Sequence, residues 1–440
     1  MSHYKPYPAY KDSGVEWIGE VPEHWGIAPV KTYYDIRLGK MLQPEQQANT
    51  DLLVPYHRAQ TVQWECIDNL AMTTMWASPS DVAKFSVAIG DLLICEGGDV
   101  CRAAIVEDLH AHEVIFQNSL HRVRPKEAWG VEWILRLMQH LRSSAWIEVL
   151  CNKNTIVHFT SEKLGSLACP LPGPDEQCEI TRALSRETAR IDALIARKTR
   201  FIELLKEKRK ALITHAVTKG LDPNVKMKDS GVEWIGEVPE HWEVWRLGSL
   251  YREAVRTGDP SLPILSISIH DGITDDELAP EDRDRQVYQI EDRTKYKRVR
   301  PNDLAYNMMR AWQGAFGAVA VDGLVSPAYV VAEPTGEIRS AYIENLLRTP
   351  MAVEEMRRFS RGIADFRMRL YWEYFRDLHV CVPSLDEQDN ILAALSRRGA
   401  RMERLGETTE RSIALLKERR SALITAAVTG KIDLTSGDDA

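Results

Sequence analysis

No run of about eighteen consecutive apolar residues occurs in the sequence, so it predicts no membrane-spanning helix. The opening Met1-Ser2-His3-Tyr4-Lys5 lacks the apolar stretch and small-residue cleavage site of a secretion signal, and a cytoplasmic location is the expectation. Cysteine is sparse: Cys66, Cys95, Cys101, Cys151, Cys169, Cys178 and Cys381 form no CxxC pair. An odd, scattered set in a long chain predicts reduced thiols and no zinc site. The phosphate-cradling GxxxxGK[ST] loop is missing, because Gly39-Lys40 and Gly430-Lys431 lack both the upstream glycine and the following hydroxyl. HExxH and GxSxG are missing too. The string closest to a base-holding methyltransferase loop, Ser326-Pro327-Ala328-Tyr329, lacks the second proline and reads as a turn entering a strand. These absences predict a chain without a catalytic or metal site of its own.

Positive charge is also in deficit. The formal net charge is -8 over 440 residues, which argues mildly against a free-standing nucleic-acid binder. Net charge does not say where charges sit, however. Arg293-Thr294-Lys295-Tyr296-Lys297-Arg298-Val299-Arg300 is a strongly basic, aromatic-interleaved strip within an acidic whole. It is either a solvated surface strand or a contact for phosphates.

What the sequence does have, it has twice. Lys11 to Trp25 reads KDSGVEWIGEVPEHW, and the same fifteen letters return from Lys228 to Trp242. Leu204 to Asp222 (LLKEKRKALITHAVTKGLD) and Leu415 to Asp433 (LLKERRSALITAAVTGKID) agree at 13 of 19 positions. Asp175-Glu176-Gln177 is answered by Asp386-Glu387-Gln388. Between these anchors the two inserts, 150 and 144 residues long from the tryptophan to the aspartate, show little similarity. Identical frames around divergent inserts predict one scaffold presenting two different reading surfaces. His24 and His241 lie inside the repeated aromatic block and are expected to be structural.

The helix signal is equally clear. Ile180, Leu184, Thr188, Ile191, Ile195, Lys198, Ile202, Leu205, Arg209, Leu212 and Ala216 alternate at spacings of four and three, a heptad seam. The second copy places Ile391, Leu395, Gly399, Met402, Gly406, Thr409, Ile413, Leu416, Arg420, Leu423 and Ala427 equivalently. Gly399 and Gly406 should weaken or bend its first half, each costing about 1 kcal/mol relative to alanine. Helices this long, on the order of 60 Å at about 1.5 Å per residue, must bridge rather than sit within one compact domain. The inserts read as α/β, with strands near 90–95, 102–106 and 318–321 and helices over 130–141 and 341–359.

The order of a WIGEVPEHW block, a variable region, a proline with Glu-Gln, and an LLxExRxALIxxAVTG helix end, written twice, resembles the specificity subunits of type I restriction–modification enzymes, the HsdS family. The resemblance covers essentially the whole chain. It implies an α/β (α+β) fold with two globular target recognition domains joined by two long antiparallel coiled-coil helices in a pseudo-two-fold internal repeat. The expected divisions are 1–173 and 223–384 for the recognition domains, 174–222 and 385–434 for the spacer helices, and 435–440 for a disordered tail. Each variable region would read half of a bipartite, asymmetric site on double-stranded DNA. Two methyltransferase subunits and the restriction subunits would dock on the repeated parts. S-adenosylmethionine, ATP and magnesium would be used by those partners, with no cofactor bound by this chain.

Side chains able to read base edges are the candidates within such heads. In the first they are Arg58, Gln60, Arg102, Gln117, Asn118, Lys153 and Asn154. In the second they are Asn307, Arg310, Trp312, Gln313, Arg361, Arg367 and Arg369, with Lys295, Lys297 and Arg298 of the basic strip on phosphates. The sequence alone leaves two other readings open: a two-headed protein-interaction scaffold that never touches DNA, and an enzyme with an unfamiliar site.

Overall fold

The structure, a computed structural model, describes residues 4–127, 129–144, 146–151, 158–268, 272–274, 292–360 and 368–435. Of the expected disordered tail, 435–440, Thr435 is described, with its amide donating to Asp433 Oδ1 at 2.8 Å, and 436–440 lie outside the described residues. The chain divides into two units: Met1–Lys198 together with Arg411–Ala440, and Thr199–Glu410. Each long helix, Pro174–Lys219 and Leu385–Val428, therefore begins in one unit and ends in the other.

In the first unit the repeated aromatic block folds as a hairpin, Tyr10–Asp12 against Glu20–Pro22, with Lys11 opposite Val21. In the second unit Met227–Asp229 and Glu237–Pro239 pair in the same register, Lys228 opposite Val238. Ser13-Gly14 and Ser230-Gly231 make the same turn, and both glycines adopt a left-handed φ of 70°. The identical letters thus fold identically, as the repeat predicts.

The divergent inserts share a sheet. In the first unit Tyr34–Leu38, Leu120–Pro125, Leu92–Cys95 and Ala103–Ile105 lie side by side in that order, all antiparallel. In the second the order is Tyr251–Glu253, Tyr329–Pro334, Leu304–Asn307 and Phe316–Ala318, again antiparallel throughout. Alternating apolar residues such as Leu92, Ile94 and Val123, or Leu304, Tyr306 and Val330, turn one face of each sheet into its main core. Each head then returns to its long helix through a strand, Ala168–Leu171 or His379–Val382, paired with a strand that follows the aromatic block.

Two elements differ from the sequence reading. Residues 341–359 are not one helix but two, Ser340–Leu347 and Pro350–Phe359. Thr349 caps the second by accepting from the Ala352 amide, and Pro350 at its first position lacks the amide that a continuous helix would need. The strand expected over 318–321 ends at Ala318. Gly399 and Gly406 do not interrupt the second long helix, which is continuous from Leu385 to Val428. Neither is demanded by close approach either: an added methyl would meet nothing within 4 Å at Gly406, and only the tip of Arg209 at 4.0 Å at Gly399. Hydrogen bonding along both flanks, with the seam on one face, carries the helix through them.

The apolar seam positions are the covered ones. Ile180, Leu184, Ile191, Ile391 and Leu423 are buried, and Ile195, Ile202, Leu205, Leu212, Leu395, Met402, Ile413 and Leu416 are half-buried. Within the first unit Glu176 and Gly430 both lie at Trp25, while farther along Asp192 meets Arg420, so the two helix segments run antiparallel. Within the second, Gly220 and Glu387 lie at Trp242 while Arg209 approaches Gly399, which is the same arrangement. Among the described residues no helix is long and apolar enough to cross a membrane.

Candidate nucleic-acid interface

The Asp-Glu-Gln motif explains how each head is held. The Glu176 carboxylate accepts from the indole Nε1 of buried Trp25 (3.0 Å) and lies 3.0 Å from His24 Nε2. Glu387 does the same for Trp242 (3.2 Å) and His241 (2.8 Å). The next residue reaches the other way. Gln177 Oε1 accepts from the Gly130 amide and Gln388 Oε1 from the Arg339 amide, each at the N-cap of a helix of its head, Val131–Ser143 and Ser340–Leu347. One motif thus ties the long helix to the aromatic block with its glutamate and to the head with its glutamine. His24 and His241 are structural, as expected.

On this frame the first unit gathers five of its candidates at one edge. Arg58, at the end of strand Leu52–His57, caps a short turn, Ala59–Thr61, that carries exposed Gln60. Arg102 donates from Nη2 to the Ala59 carbonyl at 2.7 Å, and the Ala59 amide donates to Ser119 Oγ at 3.1 Å. Ser119 Oγ in turn donates to Gln117 Oε1 at 3.1 Å. The Gln117 amide donates to the His57 carbonyl, and the Asn118 amide to that of Lys40. Gly39 must be glycine for this: an added Cβ would lie 2.3 Å from the Gln117 carbonyl oxygen. Arg102 is therefore spent on holding the turn and on Asp99, 3.6 Å away. Arg58 is half-buried, with an Nε that has no partner. His57, fully buried beneath, keeps Nδ1 3.2 Å from Thr61 Oγ1, and burial pulls its pKa down to about 4.

In the second unit Asn307, Arg310, Trp312 and Gln313 share the loop between strands Leu304–Asn307 and Phe316–Ala318. This is the connection that corresponds, in strand order, to the loop ending at Arg102. Asn307 Oδ1 accepts from the Met309 amide at 3.0 Å, and Trp312 Nε1 donates to the Met309 carbonyl at 2.9 Å. Gly314, at φ 88°, closes the turn. The Leu370 amide donates to the Met308 carbonyl, which brings exposed Arg369 beside the loop. Arg357, a residue the sequence reading did not single out, lies over the Trp312 ring at 5.7 Å.

Along the basic strip, Lys295 is exposed, 3.8 Å from Asp292. Lys297 Nζ instead donates to the Tyr329 carbonyl at 2.7 Å, and Arg298 pairs with Asp322 at 3.0 Å. Both side chains have partners within the unit. Lys153, Asn154, Arg361 and Arg367 lie outside the described residues. No group of three metal-ligating side chains occurs among the described residues.

No protein-family model matches the sequence. The chain is 26% identical over 238 residues to a type I restriction enzyme MjaX specificity subunit of Methanocaldococcus jannaschii, covering 53% of this chain and 54% of that protein. It is 23% identical over 308 residues to the type I restriction enzyme EcoBI specificity subunit of Escherichia coli, covering 65% and 64%. The matches thus span between about half and two thirds of these relatives' lengths. By fold it is similar to the HsdS subunit of Thermoanaerobacter tengcongensis, with a TM-score of 0.53 at 14% identity, over 94% of this chain and 98% of that one. It is also similar to a chain from a study of complex assembly and conformational transition of the type I restriction–modification system, with a TM-score of 0.60 at 16% identity, over 94% and 99%. Doubled frames, two long seamed helices and these relatives agree: the chain is similar, in sequence over part of its length and in fold over nearly all of it, to the HsdS specificity subunits of type I restriction–modification enzymes.

Proposed function

We propose that this chain is a non-catalytic DNA-reading subunit that binds a bipartite, asymmetric site on double-stranded DNA and directs methyltransferase and restriction partners to it. The observation that carries the reading is the shared four-stranded order of two heads whose edge loops differ in sequence. One frame with two sets of polar loop side chains suits two unlike half-sites, as symmetric dimers suit like ones. Arg58, Gln60, Gln117 and Asn118 in the first head, and Asn307, Arg310, Gln313 and Arg369 in the second, are the side chains proposed to meet base edges. Lys295 and the Arg357–Trp312 pair would lie toward the phosphates and sugars. Methyl transfer with S-adenosylmethionine, and ATP- and magnesium-dependent cleavage, belong in this reading to the partner subunits: two for methylation, docked on the repeated parts, and further ones for restriction.

The test exchanges residues 26–172 for the equivalent region of another specificity subunit and maps methylated bases in cells by long-read sequencing. One half-site should change and the other persist. A swap that rewrites both halves, or methyl transfer by the purified chain without partners, refutes the reading.

A further inference from the structure

Glu65 stands at the turn between strands Val62–Gln63 and Cys66–Ile67, in the left-handed region at φ 58°, where a glutamate is uncommon. Two arginines grip its carboxylate. Oε1 accepts from Nη1 of buried Arg136, and Oε2 from Nη2 of Arg420. Arg136 extends the network to Gln139 Oε1 and Ser185 Oγ, both at 3.0 Å, and Arg420 to Asp192 at 3.0 Å. Burial alone would push the Glu65 carboxyl up. Arg136 and Arg420 outweigh it and hold the group below its ordinary value, so it is charged at neutral pH.

The hairpin that Glu65 ends is fastened to the turn carrying Arg58 and Gln60. The Asp68 amide donates to the Thr61 carbonyl at 2.8 Å, and Gln63 Nε2 donates to the Gln60 carbonyl at 3.2 Å. A continuous set of contacts therefore runs from Arg420, on the second long helix, through Glu65 to the edge of the first head. The repeat supplies a control. Arg420 corresponds to Arg209, which is exposed and forms no ion pair among the described residues. The same letter in the same repeated block is employed in one unit and left idle in the other.

We propose that Glu65 and Arg420 are positioning residues for the reading edge of the first head, so that a side chain encoded in the last repeat sets how the first half-site is read. This rests on the DNA-reading function proposed above. The geometry makes the dependence one-sided: among the described residues nothing equivalent links Arg209 to the loop at Asn307.

The experiment uses the full chain in five forms: wild type, Arg420→Ala, Glu65→Gln, Arg209→Ala and Arg420→Lys. Hydrogen exchange of the free protein is followed at segment 58–68. The Thr61 and Asp68 amides should exchange about tenfold faster in the first two variants and at the wild-type rate in Arg209→Ala. With partner subunits in cells, methylated-base mapping should show relaxed discrimination in the first half-site alone, and Arg420→Lys should restore part of it. Unchanged exchange at segment 58–68 overturns the proposal. So does acceleration spread over the whole first unit, or equal relaxation of both half-sites. Faster exchange with both half-sites intact overturns it as well. A wild-type chain that directs no sequence-specific methylation refutes the proposed function instead, and the exchange result still decides whether Arg420 holds the loop.

Discussion

Acid should melt one unit before the other. His57 and His140 are both buried in the first unit, each with one ring nitrogen near a threonine hydroxyl: Thr61 for His57, and Thr425 at 2.9 Å for His140. The other nitrogen of each is buried without a partner. Burial draws both pKa values from 6.5 down to about 4, with Lys431 adding repulsion at His140. A histidine of depressed folded pKa favours the folded state fully above its unfolded value. That contribution is lost as the unfolded chain takes up the proton and the folded one does not. Between about pH 7 and about pH 5 the loss is about 2 kcal/mol per histidine, roughly 4 kcal/mol together. For a unit of this size that lowers the midpoint by roughly 10 °C. The described histidines of the second unit, His215, His241 and His379, are exposed, and burial pushes the Glu344 carboxyl up, so that the folded unit takes up its proton more readily than the unfolded chain; acidification over this range should therefore not lower that unit's midpoint as it does the first's. Scanning calorimetry at the two pH values measures the effect. The transition of the first unit is identified by its selective shift in Val21→Ala, a deletion in that unit's core. Two transitions that fall together, or a first unit that does not move, would refute the account of buried, half-satisfied rings.

Three further outcomes follow from the helices and their anchors. Gly406→Ala should stabilise the second unit by about 1 kcal/mol, since the site is helical and open; denaturant unfolding gives the sign directly. Glu176→Ala and Glu387→Ala should each destabilise their own unit by about 1–3 kcal/mol, because each strands a buried indole N–H, and calorimetry should show the two losses to be alike. Four residues inserted between Ala196 and Arg197 add about 6 Å of helix, near two base pairs at about 3.4 Å each. Methylated sites should then keep both half-sites and gain one or two unread positions between them; an unchanged gap with full activity would show that this helix does not set the spacing.

Much of the frame was legible because repetition and a heptad period are long-range patterns that survive in one sequence. The seam from Ile180 to Ala216 needed no knowledge of its partner. Gly406 costs the helix propensity but does not break it, because hydrogen bonding on both flanks and one covered face carry the helix past it, and propensity read along one sequence does not weigh those. Pro350 was a visible break that the apolar pattern on either side concealed. The loops were less legible for a physical reason: their order comes from single contacts between distant residues. Nothing in Lys297-Arg298 announces Asp322 or the Tyr329 carbonyl, and nothing in Trp64-Glu65-Cys66 announces Arg420. The one available signal for Arg420 was the repeat itself, which marks the residue but not the difference between its two settings.

The division of both long helices between two units carries a consequence for synthesis. The second unit, Thr199–Glu410, is one unbroken stretch of chain. The first is not: its core needs Leu423, Ile424, Ala427 and Val428, and Ile432 and Leu434 beyond them, against Trp17, Val21 and Trp25. At a ribosomal pace of about 5–20 residues per second, the earliest-made head waits for its closing helix while the later one is already whole. Birth order and completion order are therefore reversed. During that interval the apolar faces of Trp25 and Val21 are without their final cover, and a chaperone that holds such faces would meet this protein at its first-made end.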